Sequence, residues 1–311
     1  MIDYYTITAS GIKPSSAEQA NWIVLKDADH KEVDQMIQKY DLPADLFVGR
    51  DQPEEVSRFE KLKETALSHC YSLVLINLNA EADAEIEDRL QPVSFVVSDE
   101  VVITYTSADF IETLIERQQS KITSPERLIT YSLLSIYSHF IKQLMELKKR
   151  IDKLDQAARK TTENKELFNL ADTERDMVYL DHTLDDQGET VDALLKDEDF
   201  SKRLADDALL YDIRLRQRHA NKLVVVYRDL LETIGGLFTD MMDNNLNHLM
   251  KYLDSAALVI SIPALITGIW GMNAGGMPWE NSKLGFLVVM VIATLLGVLS
   301  AVYLSKKDYS K

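Results

Sequence analysis

Two long apolar runs near the C-terminus dominate the hydropathy pattern of this chain. Residues 255–279 contain no Asp, Glu, Lys or Arg, and residues 284–305 are also free of charge. A helix needs about 20 apolar residues to cross a bilayer, so each run is long enough to do so. A short connection with Glu280 and Lys283 separates them. The pattern predicts two transmembrane helices over 255–305.

The first 122 residues instead mix strand and helix periodicities. Alternating or β-branched runs predict strands, and apolar residues at helical spacing predict helices. The predicted strands are 4–9, 21–25, 71–78, 92–97 and 101–105, and the predicted helices are 30–40 and 108–117. The mixture predicts an α/β domain over 1–122. It has no phosphate loop, glycine-rich fingerprint or nucleophile elbow, so we do not expect an enzyme.

Helical pattern then continues with almost no breaker, because no proline occurs between Pro125 and Pro263. Residues 124–126 favour a helix start. Ser124 can cap the helix, Pro125 fits its first turn, and Glu126 interacts favourably with the helix dipole. Three long helices are predicted, over 125–160, 166–195 and about 200–272. The third would be on the order of 100 Å long. It needs neighbouring helices, so we expect oligomerisation and interpret 123–254 as a stalk with an acidic hairpin.

Charge excludes some functions and leaves others open. The 311 residues include 50 acidic and 34 basic ones, a net charge of −16, which argues against nucleic acid as a partner. Residues 163–212 contain 16 acidic and five basic side chains. They form either a solvated hairpin or a weak site for divalent cations. The single cysteine, Cys70, excludes a disulfide framework, and the six histidines show no metal-ligand spacing such as HExxH.

Basic residues near the spans predict the orientation. Lys251 precedes the first span, Lys306, Lys307 and Lys311 follow the second, and only Lys283 lies between them. By the positive-inside rule both termini are cytoplasmic, including a basic tail over 306–311, and the connection faces outward.

One face of the third long helix changes from large to small side chains as it enters the bilayer. At steps of three and four its members are Asn247, Met250, Leu253, Ala257, Ser261, Ala264 and Gly268, which we call the small-residue face. Small residues in membrane helices mark close helix packing. The alternative is a face that lines an axial passage, with polar Asn247 and Asn273 at its two ends.

Gly271, Met272 and Asn273 follow the penultimate apolar run. This GMN tripeptide, two C-terminal spans, a short outward loop and a long preceding helix together resemble the CorA family of divalent-cation channels, the two-TM-GxN group. The resemblance covers the whole chain. It implies an α+β membrane protein with an N-terminal α/β cytoplasmic domain, a long helical stalk and two C-terminal transmembrane helices. It also implies a homopentamer in the cell (plasma or inner) membrane.

The resemblance also implies the site residues. Gly271, Met272 and Asn273 would form the outer mouth, and the small-residue face would line the pore. An alignment through Arg228-Asp229 and GMN puts the family's regulatory acidic residue at Asp212. Mg²⁺ would then be both substrate and regulator, Co²⁺ or Ni²⁺ possible companions, and no cofactor is expected.

The loop after GMN keeps other readings open. It runs AGGMPW and then Glu280, its only acid. Gly-Gly before a proline is similar to the ZntB zinc-transport branch of the family, so a zinc transporter is one alternative. The other is a membrane-anchored scaffold or sensor that conducts nothing, which would not need Asn273.

Overall fold

The computed structural model describes residues 1–47, 56–79, 84–106, 108–161, 163–272, 276 and 283–306. The chain divides into two compact units. The first comprises Met1–Ala157 and Glu163–Ile234, and the second comprises Ala158–Thr162 and Gly235–Lys311.

A seven-stranded mixed sheet forms the centre of the first unit. Its strands are β1 (Ile2–Thr8), β2 (Gly11–Pro14), β3 (Trp22–Lys26), β4 (Arg58–Lys61), β5 (Tyr71–Leu78), β6 (Leu90–Val97) and β7 (Val102–Thr106). The order is β2-β1-β3-β7-β6-β5-β4. Only β3 and β7 pair in parallel, and the Trp22 indole N–H on β3 donates to Thr104 Oγ1 on β7 at 2.9 Å in the buried interior.

All five predicted strands are confirmed, and the β6–β7 hairpin forms as expected. Two further strands, β2 and β4, were not predicted, and they have four residues each. Strands of that length carry too few positions for a periodicity to emerge. They form because neighbouring strands offer hydrogen-bonding edges, β1 to β2 and β5 to β4.

Short helices flank the sheet. They are α1 (His30–Tyr40), α2 (Ile86–Arg89) and α3 (Ala108–Gln118). The start of α1 is a capping box, in which Asp29 Oδ1 accepts the Glu32 N–H and Glu32 Oε2 accepts the Asp29 N–H. The helix ends at Asp41, whose φ of 51° is left-handed. These caps explain why the predicted bounds of 30–40 match the observed ones.

Two long helices follow, α4 (Pro125–Ala158) and α5 (Asn164–Lys196). The predicted start of α4 is confirmed, with Ser124 Oγ accepting the Arg127 N–H at 3.2 Å. One face of α4 is mostly apolar and buried, as the helical period requires. Its members include Leu133, Tyr137, Phe140, Leu144, Leu147 and Ile151.

The third long helix does not begin near residue 200, and that prediction is wrong. A separate short helix, α6 (Glu198–Leu204), comes first, and α7 (Asp207–Trp270) begins after it. Asp197 accepts the Phe200 N–H to start α6, and Ala205 ends it at a φ of 49°. Asp206 Oδ1 then accepts the Leu209 N–H to start α7. Two aspartate caps nine positions apart therefore divide a segment that hydropathy alone predicts as one continuous helix.

The second unit contains the later part of α7 and the last helix, α8 (Gly285–Lys306). Both helices are long and apolar enough to cross a membrane. The apolar side chains of α8 are mostly exposed in the single chain, including Phe286, Leu295 and Leu299. Such a surface is typical of lipid-facing helices.

Candidate functional site

The two C-terminal helices contact each other through a row of mostly small residues on α8. Its buried residues, Gly285, Val289, Ala293 and Gly297, recur at every fourth position. At Gly297 an added Cβ would lie 3.0 Å from Pro263 Cγ and 3.9 Å from the Val259 carbonyl oxygen. A side chain at this position would require Pro263 to shift, so glycine favours the close approach of α8 to α7, as at small-residue contacts in membrane helices.

The small-residue face lies on the opposite side of α7 from this contact. At 100° per residue, Ala257, Ser261, Ala264 and Gly268 project about 140–180° away from Val259 and about 100–160° away from Pro263. All seven members of the face are exposed in the single chain. Nothing lies within 4 Å of a Cβ built on Gly268. Within this chain the face therefore has no packing partner among the described residues.

The face changes character along its length. Met250 and Leu253, at its N-terminal part, are large, apolar and more than half exposed. Further along the side chains are small, and Ser261 Oγ donates to the Leu258 carbonyl at 3.0 Å. Copies of this face turned toward a common axis would create a narrow apolar ring at Met250 and Leu253 and a wider passage beyond it.

Helical hydrogen bonding extends past the last residue of α7 into the GMN tripeptide. The Gly271 N–H donates to the Thr267 carbonyl at 2.9 Å, and the Met272 N–H donates to the Ile269 carbonyl at 3.2 Å. Met272 is exposed. The first two residues of the tripeptide thus close the helix that carries the small-residue face. Asn273 and Glu280 lie outside the described residues.

Asp212 lies on the first-unit part of α7 and is exposed. Among the residues that the structure describes, no group of three or more His, Cys, Asp or Glu side chains could hold a metal ion. Asp212 is therefore not part of a metal-binding group of that size within the described residues of one chain.

Part of the acidic segment 163–212 serves the fold. Asp176 pairs with Arg150 at 2.6 Å, and Asp181 pairs with Arg228 at 2.9 Å. Asp197 lies 2.5 Å from Lys61. Burial raises the pKa of Asp197, but the hydrogen bonds from Lys61 and from the Phe200 N–H outweigh it and lower the pKa overall. These carboxylates join helices to one another and to β4, which favours the structural interpretation for them.

Sequence reasoning missed an exposed apolar stripe on the first-unit part of α7. The α7 apolar stripe consists of Tyr211, Leu215, Val225, Val226 and Leu230, each more than a third exposed. It lies about 100–180° around the helix from buried residues such as Ile213, Val224 and Leu231. The exposed Arg218 and Lys222 lie on the same side as the stripe. The residues of the stripe form a second set of apolar positions at helical spacing. They were used only to predict one long helix and not to identify a second apolar surface on it.

Comparison with known proteins agrees with this architecture. A sequence profile described as "CorA-like Mg2+ transporter protein" matches residues 17–306. The chain is 24% identical to "Magnesium transport protein CorA" of Wolinella succinogenes over 95% of this chain and 93% of that one. It is 23% identical to "Cobalt/magnesium transport protein CorA" of Thermotoga maritima over 58% of this chain and 52% of that one.

A solved structure shares the fold over the whole length. The complete structure of the CorA magnesium transporter from Methanocaldococcus jannaschii superposes with a TM-score of 0.76, covering 99% of this chain and 98% of that one at 16% identity. The predicted fold class is thereby confirmed, and the family is one of transporters and not of enzymes. With a profile match over nearly the whole chain, a shared full-length fold and two C-terminal spanning helices, this membrane protein belongs to the CorA-like Mg²⁺ transporter family.

Proposed function

We propose that this protein is a homopentameric channel that carries Mg²⁺, with Co²⁺ and Ni²⁺ as companions, through a pore lined by α7 and surrounded by α8. The observation that carries the proposal is the division of α7 into two opposed faces. One face holds α8 against Pro263, and the other is exposed over 247–268 and carries only small side chains from Ala257 onward. A helix of this kind can pack on its own α8 and face an axis at the same time.

The α7 apolar stripe supports assembly. Its five exposed apolar side chains lie in the first unit, on the opposite side of α7 from that unit's core. Apolar side chains at helical spacing are buried between helices in assemblies, because removing them from water is favourable. The names of the Wolinella and Thermotoga relatives support Mg²⁺ and Co²⁺ as cargo.

The residue types suit a hydrated ion. Mg²⁺ loses its water shell reluctantly. A ring of Asn273 side-chain carbonyls would accept hydrogen bonds from that water without removing it. A ring of carboxylates would bind the ion more tightly and slow its release. At the other end, Met250 and Leu253 would form an apolar constriction that closes by losing its water.

The orientation and the regulation belong to the same proposal. Lys251 and Lys306 at one end of the spans favour cytoplasmic termini. Mg²⁺ bound between Asp212 of one copy and carboxylates of the next would favour the closed state. We expect Asp212→Asn to weaken inhibition of flux by internal Mg²⁺. The matched exposed carboxylate variant Asp229→Asn should keep it. Equal sensitivity of the Asp212 variant and the parent protein would remove Asp212 from the regulatory role.

Ion flux into proteoliposomes tests the transport proposal. Purified protein would be assayed with external Mg²⁺ or Zn²⁺, under an imposed membrane potential or a proton gradient. Asn273→Ala tests the mouth, and Asn281→Ala in the same loop is the matched control. We expect potential-driven Mg²⁺ influx that Asn273→Ala loses and Asn281→Ala retains.

Two other results would change the proposal. Zn²⁺ influx that requires a proton gradient would favour a zinc transporter, the alternative that the loop sequence AGGMPW suggests. A well-folded oligomer without flux of either ion would favour a scaffold or sensor.

A further inference from the structure

A cavity lies between α7 and α8 in the second unit, near the end of α8. Its volume is ≈ 640 Å³, within the usual range for sites that hold a small molecule. It begins beyond the tight contact of Gly297 with Pro263, the last of the buried positions on α8. Ala256 on α7 and Ala301 on α8 line it, and these short side chains leave the space open.

The two ends of the cavity differ in chemistry. His248, Lys251 and Tyr252 form one end, and Val259 and Ile260 lie about two to three turns further along α7. None of the ten lining residues is acidic. The site thus presents hydrogen-bond donors and positive charge beside an apolar wall. An amphipathic anion complements this arrangement.

The surroundings of the cavity indicate where such a ligand comes from. Tyr252 and Ile260 are each 69% exposed, and they lie where α7 passes from charged sequence into its apolar span. Tyrosine and lysine at this depth are typical of the membrane interface. Lys306 ends α8 next to the lining residue Ser305 and adds positive charge at the same level.

We propose that this interhelical cavity binds an anionic phospholipid from the leaflet in which α7 enters the membrane. The phosphate lies at Lys251, with His248 and Tyr252 as further donors. The start of an acyl chain follows Val259 and Ile260 and packs against Ala301. Bound lipid fills space between the helices that the protein leaves open, and so couples the membrane composition to the packing of α7 on α8. The proposal rests on the membrane placement of the two helices and not on ion conduction.

Retention of lipid by the purified protein tests binding at the interhelical cavity directly. Purified full-length protein would be exchanged into phosphatidylglycerol or phosphatidylcholine, and bound lipid counted by native mass spectrometry at increasing lipid concentration. Each basic side chain near an anionic lipid contributes about five-fold in binding. We expect phosphatidylglycerol to bind more tightly than phosphatidylcholine, Lys251→Gln to weaken it about five-fold, and Lys251→Gln/His248→Gln to weaken it further.

Two more variants separate this site from general attraction to lipid. Lys283→Gln removes a lysine at the opposite end of α8 and should leave retention unchanged. Ala301→Phe fills the cavity without changing charge and should also lose phosphatidylglycerol. Equal retention by Ala301→Phe and the parent, or equal loss in Lys283→Gln and Lys251→Gln, would overturn the proposal. Because binding is read without transport, its outcome is independent of the flux test.

Discussion

Among single residues, His139 shows how its surroundings alter an ionisable group. It lies on α4, and its Nδ1–H donates to Asn77 Oδ1 on β5 at 2.8 Å. Burial lowers the pKa of His139, and the nearby positive charges of Arg117 and Lys142 lower it further. The folded protein therefore favours the neutral ring, whereas an unfolded histidine has a pKa of about 6.5. The buried neutral ring of His139 contributes fully to stability above about pH 6.5. This contribution is lost as the pH falls through the lower pKa of the folded state.

Replacing this histidine should reduce the acid sensitivity of the fold. His139→Gln keeps an N–H donor for Asn77 but takes up no proton. We expect a smaller fall in the thermal unfolding midpoint between pH 7 and pH 5 than in the parent, measured by circular dichroism. His219→Gln, at an exposed position on α7, should behave like the parent. If the thermal midpoint of His139→Gln fell between pH 7 and pH 5 as much as that of the parent, the His139 ring would not control the acid sensitivity.

At the scale of elements, one side-chain amide joins α5 to the sheet. Gln187 is fully buried, and its Oε1 accepts the N–H of Ile76 at 2.8 Å. Ile76 lies on β5 beyond the part that β4 covers, which ends at Val74. The helix thus completes hydrogen bonding where the edge strand stops. Asp186 does the same for Ser57, whose N–H it accepts at 2.7 Å.

Removal of that amide should leave a buried donor unsatisfied. Gln187→Leu is expected to lower the free energy of unfolding of the first unit by about 1 kcal/mol, because an unsatisfied buried N–H costs about 1–3 kcal/mol and removal of the buried, unpartnered Gln187 Nε2 offsets part of that cost. Urea denaturation followed by circular dichroism would measure it. Glu189→Leu alters an exposed position on the same helix and should cost much less. Similar losses in both variants would contradict the role given to the Ile76 hydrogen bond.

The contact between α7 and α8 gives a second prediction for elements. Gly297→Leu would drive a side chain into Pro263, and overpacking of this kind costs about 1–3 kcal/mol. We expect a lower thermal midpoint in detergent and less protein in the oligomer peak on size exclusion. Gly268→Ala, which meets nothing within 4 Å, should keep both. A Gly297→Leu protein as stable as the parent would mean that the helices can separate without cost.

At the scale of the whole molecule, we expect formation of the oligomer to depend on the exposed side chains of the α7 apolar stripe. Leu215→Glu/Val226→Glu would place charges in an apolar interface, where an unpaired charge is costly. Light scattering in detergent should show the parent as five copies of the 35.4 kDa chain and the variant as smaller species. Asn221→Glu, an exposed position on α7 outside the arc of the stripe, should assemble normally. A pentameric double variant would place the interface elsewhere.

Much of this molecule follows from local sequence. Charge-free runs predict membrane helices because burial of an ion in lipid is costly, whatever the fold. The bounds of α1 and the start of α4 were predictable because Asp29 and Ser124 act on N–H groups only three residues away. The GMN tripeptide is likewise local, and with the two C-terminal spans it indicates the family from sequence. Asp197 and Asp206 were local signals too, but continuous apolar spacing concealed the break they make.

Tertiary structure decided what depends on distant partners. The four-residue strands β2 and β4 exist because β1 and β5 offer edges, and no periodicity within four residues can predict that. Small residues mark both the α8 contact at Gly297 and the small-residue face, so composition alone could not assign either role. Only the approach of α8 to Pro263 showed which side of α7 is packed. The physical reason is that hydropathy defines a helix and its faces, whereas the partner of each face is set by packing between segments far apart in sequence.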